Sequence, residues 1–266
     1  MAKGNDYAFI FDLDGTVYLG GQALPGAVET LQWVRASGAQ VRFVTNNPRF
    51  SRDFYANKLT KMGIPTTTDE MVTSAHLTAE YLKKHPEFGS IYIIGEDQLR
   101  QELHDVGIIP IDHAEADTVV VSFDTTLTYD KLMKGYQALK NGARFIATNP
   151  DPVCPSPDGG LVDAGAIIAA LEVSTGRTIE QVIGKPSRLL AKLLSDQFQI
   201  PPERCIVVGD RLNTDVRMGK DAGMIAVWIN PSGELCPDPN LKPDFTIRSI
   251  ADLPSVLTLP KVKLQK

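Results

Sequence analysis

The most informative stretch of the sequence is Phe9-Ile-Phe-Asp-Leu-Asp-Gly-Thr16. The residues up to Phe11 are mostly apolar, aromatic or β-branched, a composition that predicts a short buried strand. Asp12 and Asp14 follow at alternate positions, so we expect both carboxylates to point into one small space where the strand ends. Such a pair repels itself unless a cation or a shared proton offsets the charge. The stretch therefore predicts a charged site, although a solvated Asp-Gly turn has the same composition.

Polar residues also end three other predicted strands. A helix opened by Pro25 leads into a strand at residues 41–45, and strand, helix and strand in this order form a right-handed parallel crossover. Because ligands bind at the carboxyl ends of parallel strands, the residues at these ends should line one crevice. They are Thr45 and Asn46 after the second strand, Lys185 before a late helix, and Asp210 and Asp215 after Cys205-Ile-Val-Val-Gly. Taken singly, each is also compatible with a turn, a helix cap or a solvated charge.

The middle of the chain repeats the strand–helix pattern. Val119-Val-Val-Ser-Phe-Asp124 is similar to the first motif, and Arg144-Phe-Ile-Ala-Thr-Asn-Pro150 is similar to Arg42-Phe-Val-Thr-Asn-Asn-Pro48. Two threonines follow Asp124, so the second carboxylate of the first motif is absent. The pattern predicts a second α/β unit without its own catalytic pair. A loop with four prolines follows at residues 149–163, and we expect it to be either a recognition loop or a surface crossing.

Composition indicates a globular protein and narrows the classes of partner. The chain has 266 residues, of which 43% are hydrophobic and 22% charged, enough for one large domain or two of ordinary size. The formal net charge of -5 and the lack of a basic stripe argue against a nucleic-acid partner. The sequence has no signal-peptide pattern and no apolar run of bilayer length, so we expect a cytoplasmic protein that does not bind membranes. The three cysteines follow no metal-ligand spacing and are expected to be reduced thiols.

The four polar strand ends, in this order, resemble the haloacid dehalogenase superfamily. The resemblance covers nearly the whole chain and includes Asp-x-Asp-Gly-Thr near the start and Gly-Asp-x-x-x-x-Asp late. The insertion between Thr45 and Lys185, the run Ile183-Gly-Lys-Pro and the run Arg211-Leu-Asn-Thr-Asp215 are similar to the NagD-like branch, class IIA. The resemblance implies an α/β fold with a Rossmann-like parallel-sheet core and an inserted α/β cap. We expect residues 1–78 and 181–266 to form the core and residues 79–180 to form the cap.

Three carboxylates with few nearby cations point to a hard divalent ion with oxygen ligands, and Mg²⁺ is the natural candidate. The resemblance extends this to individual roles. It implies that Asp12 attacks phosphorus and that Asp14 first protonates the leaving oxygen and later activates water. The other roles it implies are phosphoryl binding by Thr45, Asn46 and Lys185, metal binding by Asp12, Asp210 and the backbone carbonyl of Asp14, support of the metal site by Asp215, and substrate contact by Asn149 and Asp151 of the cap loop.

Asp14 separates the subclasses of the superfamily. Its dehalogenases keep no acid at that position and its ion-pumping ATPases carry Thr, so the resemblance implies phosphoester hydrolysis or phosphoryl transfer. We expect a Mg²⁺-dependent phosphatase of small phosphorylated metabolites such as sugar phosphates, with 4-nitrophenyl phosphate as an artificial substrate and an aspartyl-phosphate intermediate. The alternatives are a phosphotransferase or phosphomutase, and a noncatalytic sensor of a phosphorylated ligand. Members of the branch often form homodimers through the cap, and such a dimer is a further expectation.

Overall fold

The computed structural model describes residues 7–155 and 159–257, and the chain divides into two compact units. The first unit comprises Met1–Val44, Asp53–Met71 and Pro186–Lys266, and the second comprises Thr45–Arg52 and Val72–Lys185. The assignment of a core to residues 1–78 and 181–266 and of a cap to residues 79–180 stays a prediction.

Both units are built from strands that alternate with helices. The strands are β1 (Ala8–Phe11), β2 (Tyr18–Leu19), β3 (Gln22–Ala23), β4 (Gln40–Thr45), β5 (Met71–Thr73), β6 (Ile91–Ile94), β7 (Thr118–Val121), β8 (Arg144–Ala147), β9 (Val153–Cys154), β10 (Leu161–Val162), β11 (Gln181–Val182), β12 (Cys205–Gly209), β13 (Ile225–Ile229) and β14 (Phe245–Ile247). The α-helices are α1 (Ala27–Ala36), α2 (Arg52–Lys61), α3 (Ser74–Lys84), α4 (Asp97–Asp105), α5 (Tyr129–Lys140), α6 (Ala164–Thr175), α7 (Arg188–Phe198), α8 (Arg217–Asp221) and α9 (Leu253–Val256). A π-helical turn spans Leu212–Val216.

The main sheet has β1 near its centre, in the strand order β14-β13-β12-β1-β4-β5. Strand β1 is parallel to both neighbours, since Phe11 pairs with Val208 of β12 and with Phe43 of β4. Asp12 follows Phe11 directly, and Asp210 lies two residues beyond Val208. The parallel register therefore brings the ends of β1 and β12 to the same edge of the sheet, as the sequence predicts.

Aromatic side chains fill the core of the first unit. The rings of Phe9 and Phe11 stack with centroids 5.7 Å apart, and the Phe11 ring lies 6.1 Å from that of Phe43. Helix α1 covers them with Leu31 and Val34, both fully buried. Every residue of β1 is buried, as expected for a central strand covered on both faces. This packing gives the loop that carries Asp12 a rigid support.

The second unit has its own parallel sheet, in the order β11-β8-β7-β6. Alternate residues of its strands point to opposite faces, as the two-residue period of a strand requires. One face buries Ile94 and Val121 against α5 and α6, and the other buries Ile93 and Val120 against α3 and α4. The second α/β unit predicted from the sequence is thus present.

Two short hairpins were not evident in the sequence. Strands β2 and β3 pair antiparallel in the first unit, and β9 and β10 pair antiparallel inside the proline-containing loop at residues 149–163. Each of these strands has two residues, which is too short for a two-residue hydrophobic period to be read. The loop is therefore less irregular than predicted, and its residues 156–158 lie outside the described residues. None of the helices in the described ranges has the length and the apolar composition of a membrane span.

Candidate active site

Three carboxylates of the first unit converge at the edge of the main sheet. One oxygen each from Asp12, Asp210 and Asp215 lies within 4.8 Å of the others. Asp12 follows β1, Asp210 follows β12, and Asp215 belongs to the π-helical turn that comes after β12 in the chain. Asp12 is 9% exposed and Asp215 is 1% exposed. Carboxylates this close together, two of them buried, repel one another, and a bound cation would relieve the repulsion.

The loop after β1 is shaped to admit the Asp210 side chain. Gly15 has a φ of 87°, and a Cβ there would collide with the Asp210 carboxylate, so both backbone conformation and space require glycine. The Thr16 hydroxyl donates to Asp210 Oδ1 at 3.4 Å. At the end of β12, a Cβ on Gly209 would collide with the Asp215 side chain. The two glycines therefore allow the carboxylates to approach the backbone closely.

The three carboxylates fit a hard divalent cation. Their candidate donor atoms are all oxygens, which suits Mg²⁺ and excludes the sulfur-rich sets typical of structural zinc. Asp215 has an additional contact, because its Oδ2 accepts a hydrogen bond from the Arg211 backbone at 3.2 Å. That bond orients the Asp215 carboxylate within the cluster.

Asp14, the second carboxylate of the first motif, is partly buried and contacts a side chain that the sequence did not single out. The Tyr18 hydroxyl donates to Asp14 Oδ2 at 3.2 Å. Lys58 of α2 lies over the same tyrosine ring, with its Nζ 3.6 Å from the ring centroid. Tyr18 stands four residues after Asp14, so it is close in sequence, but nothing in the motif marks it. Lys58 is distant from Tyr18 in sequence, and only folding brings it over the tyrosine ring.

Two of the predicted phosphate-binding residues are linked in the second unit. The Asn46 side chain bonds both backbone groups of Lys185: Oδ1 accepts from its N–H and Nδ2 donates to its C=O, each at 2.9 Å. Asn46 Nδ2 also donates to Asp151 Oδ2 at 2.7 Å. A Cβ on Gly184 would come within 2.6 Å of Asn46 Oδ1, so this position also needs glycine. Asn46 therefore fixes the backbone at Lys185.

The other predicted residues of the second unit are buried. Thr45 is the last residue of β4, and its hydroxyl accepts from the Asn47 backbone at 3.1 Å. Asn149 is fully buried, and its Nδ2 donates to Asp151 Oδ2 at 3.3 Å and to Asp163 Oδ1 at 3.1 Å. These bonds tie together both ends of the loop at residues 149–163. Contact of Asn149 and Asp151 with substrate stays a prediction.

If Lys185 binds a phosphoryl group, as the sequence predicts, replacing Asn46 by alanine should weaken that binding. The substitution removes three side-chain hydrogen bonds, and we expect the KM for a phosphate ester to rise about tenfold because Lys185 loses its fixed backbone. Steady-state kinetics and thermal unfolding measure the two effects separately.

Asn230→Ala is the matched control. Asn230 is a buried asparagine of the first unit whose side chain bonds Ser232, Gly233 and Glu234. Its loss should lower the unfolding temperature without raising the KM. An Asn46→Ala enzyme that is destabilised but keeps its KM would show that Asn46 has no part in positioning Lys185.

Comparison with known proteins identifies matches across most of the chain. Residues 9–109 match the family model described as haloacid dehalogenase-like hydrolase, and residues 182–253 match the model described as HAD-hydrolase-like. Over 246 residues the chain is 36% identical to the sugar-phosphatase AraL of Bacillus subtilis (strain 168), covering 92% of this chain and 90% of the relative.

Solved structures of phosphatases and of NagD also match most of the chain. The 4-nitrophenylphosphatase of Thermotoga maritima is 39% identical with a TM-score of 0.85, covering 93% of this chain and 95% of that one. NagD of E. coli K-12 is 30% identical with a TM-score of 0.83, at 93% and 98% coverage. A glycerol phosphate phosphatase of Mycobacterium tuberculosis, solved in complex with magnesium, is 31% identical with a TM-score of 0.83, at 93% and 76% coverage.

Proposed function

The chain belongs to the haloacid dehalogenase-like hydrolases and is a phosphatase of their NagD-like branch, and on this basis we propose that it hydrolyses sugar phosphates with Mg²⁺ through an aspartyl-phosphate. Its α/β fold, with a parallel-sheet core and an inserted cap, is the fold predicted from the sequence. The observation that carries the proposal is the convergence of Asp12, Asp210 and Asp215 beside the loop that holds Asp14. Relatives named for sugar phosphates and for 4-nitrophenyl phosphate support the substrate class.

In the first half of the proposed reaction, a carboxylate oxygen of Asp12 attacks phosphorus. The bond between phosphorus and the leaving oxygen breaks, and the electron pair goes to that oxygen. Asp14, in its acid form, gives the leaving oxygen a proton, so the sugar departs as a neutral alcohol. The enzyme then holds a phosphoryl group on Asp12 and a carboxylate at Asp14.

In the second half, Asp14 acts as a base. It takes a proton from water as the water oxygen attacks phosphorus, and the bond between phosphorus and the Asp12 oxygen breaks. Phosphate leaves, Asp12 regains its carboxylate, and Asp14 regains its proton. One residue thus serves as acid and then as base.

In this proposal, Mg²⁺ would be held by the carboxylates of Asp12 and Asp210 and by the backbone carbonyl of Asp14. Asp215 supports this metal site. When bound, the metal supplies positive charge that offsets the carboxylates and the phosphoryl oxygens. A relative with 31% identity, solved in complex with magnesium, supports the choice of metal.

Thr45 and Lys185 hold the phosphoryl oxygens in the proposed complex. A lysine ammonium and a threonine hydroxyl are donors of the kind that stabilise negative charge at a transferring phosphoryl group. Asn46 contributes by fixing the backbone at Lys185. Asn149 and Asp151 shape the loop that faces the sugar, and their mutual hydrogen bond favours an ordered loop.

The proposal is tested by phosphate release from a panel of sugar phosphates and 4-nitrophenyl phosphate. We expect release with added Mg²⁺ and a loss of at least about a hundredfold with a chelator, because the acidic cluster would then face a dianionic ester without a metal. Restoring Mg²⁺ should restore activity. Release that is indifferent to the chelator would contradict the metal assignment, and stimulation by an added acceptor sugar would favour a phosphotransferase.

A further inference from the structure

Asp14 accepts a hydrogen bond from Tyr18, and Lys58 covers the ring of that tyrosine; neither Tyr18 nor Lys58 has a role in the reaction as proposed. Tyr18 is fully buried, and its hydroxyl donates to Asp14 Oδ2, while Lys58 covers the tyrosine ring. We propose that Tyr18 and Lys58 are positioning residues, which fix the orientation of the Asp14 carboxyl group for proton transfer to the leaving oxygen. The inference rests on the proposed function, because it concerns the acid of that reaction.

The backbone sets where the Tyr18 hydroxyl lies. The Tyr18 N–H donates to the carbonyl of Leu13 at 3.2 Å, and the Tyr18 carbonyl accepts from the Gly15 N–H at 2.9 Å. These two bonds join Tyr18 to the residues on either side of Asp14. The ring therefore cannot move along the chain without disturbing the loop that carries the catalytic carboxylates. In addition, β2 pairs with β3 and anchors Tyr18 from the other direction.

Lys58 fixes the tyrosine ring from its face. A cation 3.6 Å from an aromatic centroid is attracted by the negative face of the ring, and such an interaction strengthens when the cation is partly removed from water. Burial lowers the pKa of Lys58, while the negative charge of Asp14 acts in the opposite direction. The Lys58 ammonium thus interacts both with the Tyr18 ring and, electrostatically, with Asp14.

The Tyr18 hydroxyl is suited to donate rather than to accept. A phenol ordinarily keeps its proton near neutral pH, and the buried Tyr18 hydroxyl lies 3.2 Å from Asp14 Oδ2, at hydrogen-bond distance. A neutral phenol that donates to one carboxyl oxygen restricts rotation of that carboxyl group. Proton transfer needs the acid within hydrogen-bond reach of the leaving oxygen. A small misorientation of the Asp14 carboxyl group should therefore slow the reaction most for an ester with a poor leaving group.

The plainer explanation is that the hydroxyl is only a satisfied buried polar group. Tyr18→Phe separates the two explanations. If Tyr18 positions Asp14, its loss should reduce kcat about tenfold for an alkyl phosphate and less than about threefold for 4-nitrophenyl phosphate, because nitrophenolate scarcely needs a proton. The KM for each ester should stay near that of the wild type. A purely structural defect would reduce both rates equally.

Lys58 provides a second, independent test that does not remove a buried hydroxyl. Lys58→Met should produce the same selective loss on the alkyl ester, to a smaller extent, and Lys58→Arg should restore the wild-type ratio of the two rates. If Tyr18→Phe fails to fold, the Lys58 pair decides. Tyr92→Phe is the matched control, since Tyr92 is a buried tyrosine of the second unit whose hydroxyl donates to the Lys131 backbone at 3.1 Å.

The outcomes distinguish this inference from the proposed function. Wild-type protein that hydrolyses neither ester would contradict the proposed function. Wild-type protein that hydrolyses both, with equal losses or no loss in Tyr18→Phe and Lys58→Met, would overturn the positioning role alone. A selective loss in these variants but not in Tyr92→Phe would establish it.

Discussion

Asp12→Asn is expected to abolish turnover of every phosphate ester while the protein stays folded. An amide cannot act as the nucleophile, so we expect kcat to fall by at least about 10⁴-fold. The fold should tolerate the change, because it keeps the shape of the side chain and removes one negative charge from three crowded carboxylates. Phosphate release and thermal unfolding of the purified variant measure these two effects.

The chain contains a natural control for this variant. Asp124 lies in the loop after β7 of the second unit, it is buried, and its Oδ2 lies 2.7 Å from the Lys131 ammonium. Asp124→Asn weakens that ion pair, so it should lower the unfolding temperature and leave turnover close to wild type. Substantial turnover in Asp12→Asn, or loss of activity in both variants, would contradict the assignment of the nucleophile.

Asp14→Asn should show a defect that depends on the leaving group. General-acid catalysis contributes about 10²–10⁴-fold, so we expect a loss in that range for an alkyl or sugar phosphate and a milder loss for 4-nitrophenyl phosphate. The remaining loss on the aryl ester reflects the second half of the reaction, in which Asp14 activates water. Steady-state rates on the two esters give the comparison, and equal defects on both would count against Asp14 as the acid.

A double variant connects this result to Tyr18. If the tyrosine acts only through the Asp14 carboxyl group, Tyr18→Phe should add little to the loss already caused by Asp14→Asn, because residues that act as a unit are not additive. Additive losses on the alkyl ester would mean that Tyr18 acts by another route.

Much of the fold followed from short patterns in the sequence. The buried run before Asp12 and the run before Asp210 have the composition of central parallel strands, and the structure pairs each residue of β1 with a residue of β12. The convergence of Asp12 with Asp210 then follows from parallel topology, since both strands end at one edge. Local sequence was sufficient here because the strands are buried on both faces and therefore read as continuous apolar runs.

The contacts that refine the site could not be predicted in the same way. Asn46 and Asp151 are 105 positions apart, and only tertiary folding brings their side chains to 2.7 Å. The sequence predicts that Asn46 is a phosphate ligand, and that role stays a prediction; the structure adds that its side chain bonds the backbone of Lys185. Lys58 on α2 had no feature that separates it from an ordinary surface lysine, and its place over the Tyr18 ring depends on how the helix packs.

The central claim is that the phosphoryl group passes through Asp12, and chemical trapping tests it most directly. Asp14→Asn is the suitable protein, because with 4-nitrophenyl phosphate the first step needs little acid while the second step lacks its base, so the intermediate should accumulate. The mixture is quenched, reduced with borohydride, and analysed by peptide mass spectrometry. We predict homoserine at position 12, formed by reduction of the aspartyl-phosphate. Substrate turnover with an unmodified Asp12, or with reduction at another carboxylate, would contradict the mechanism.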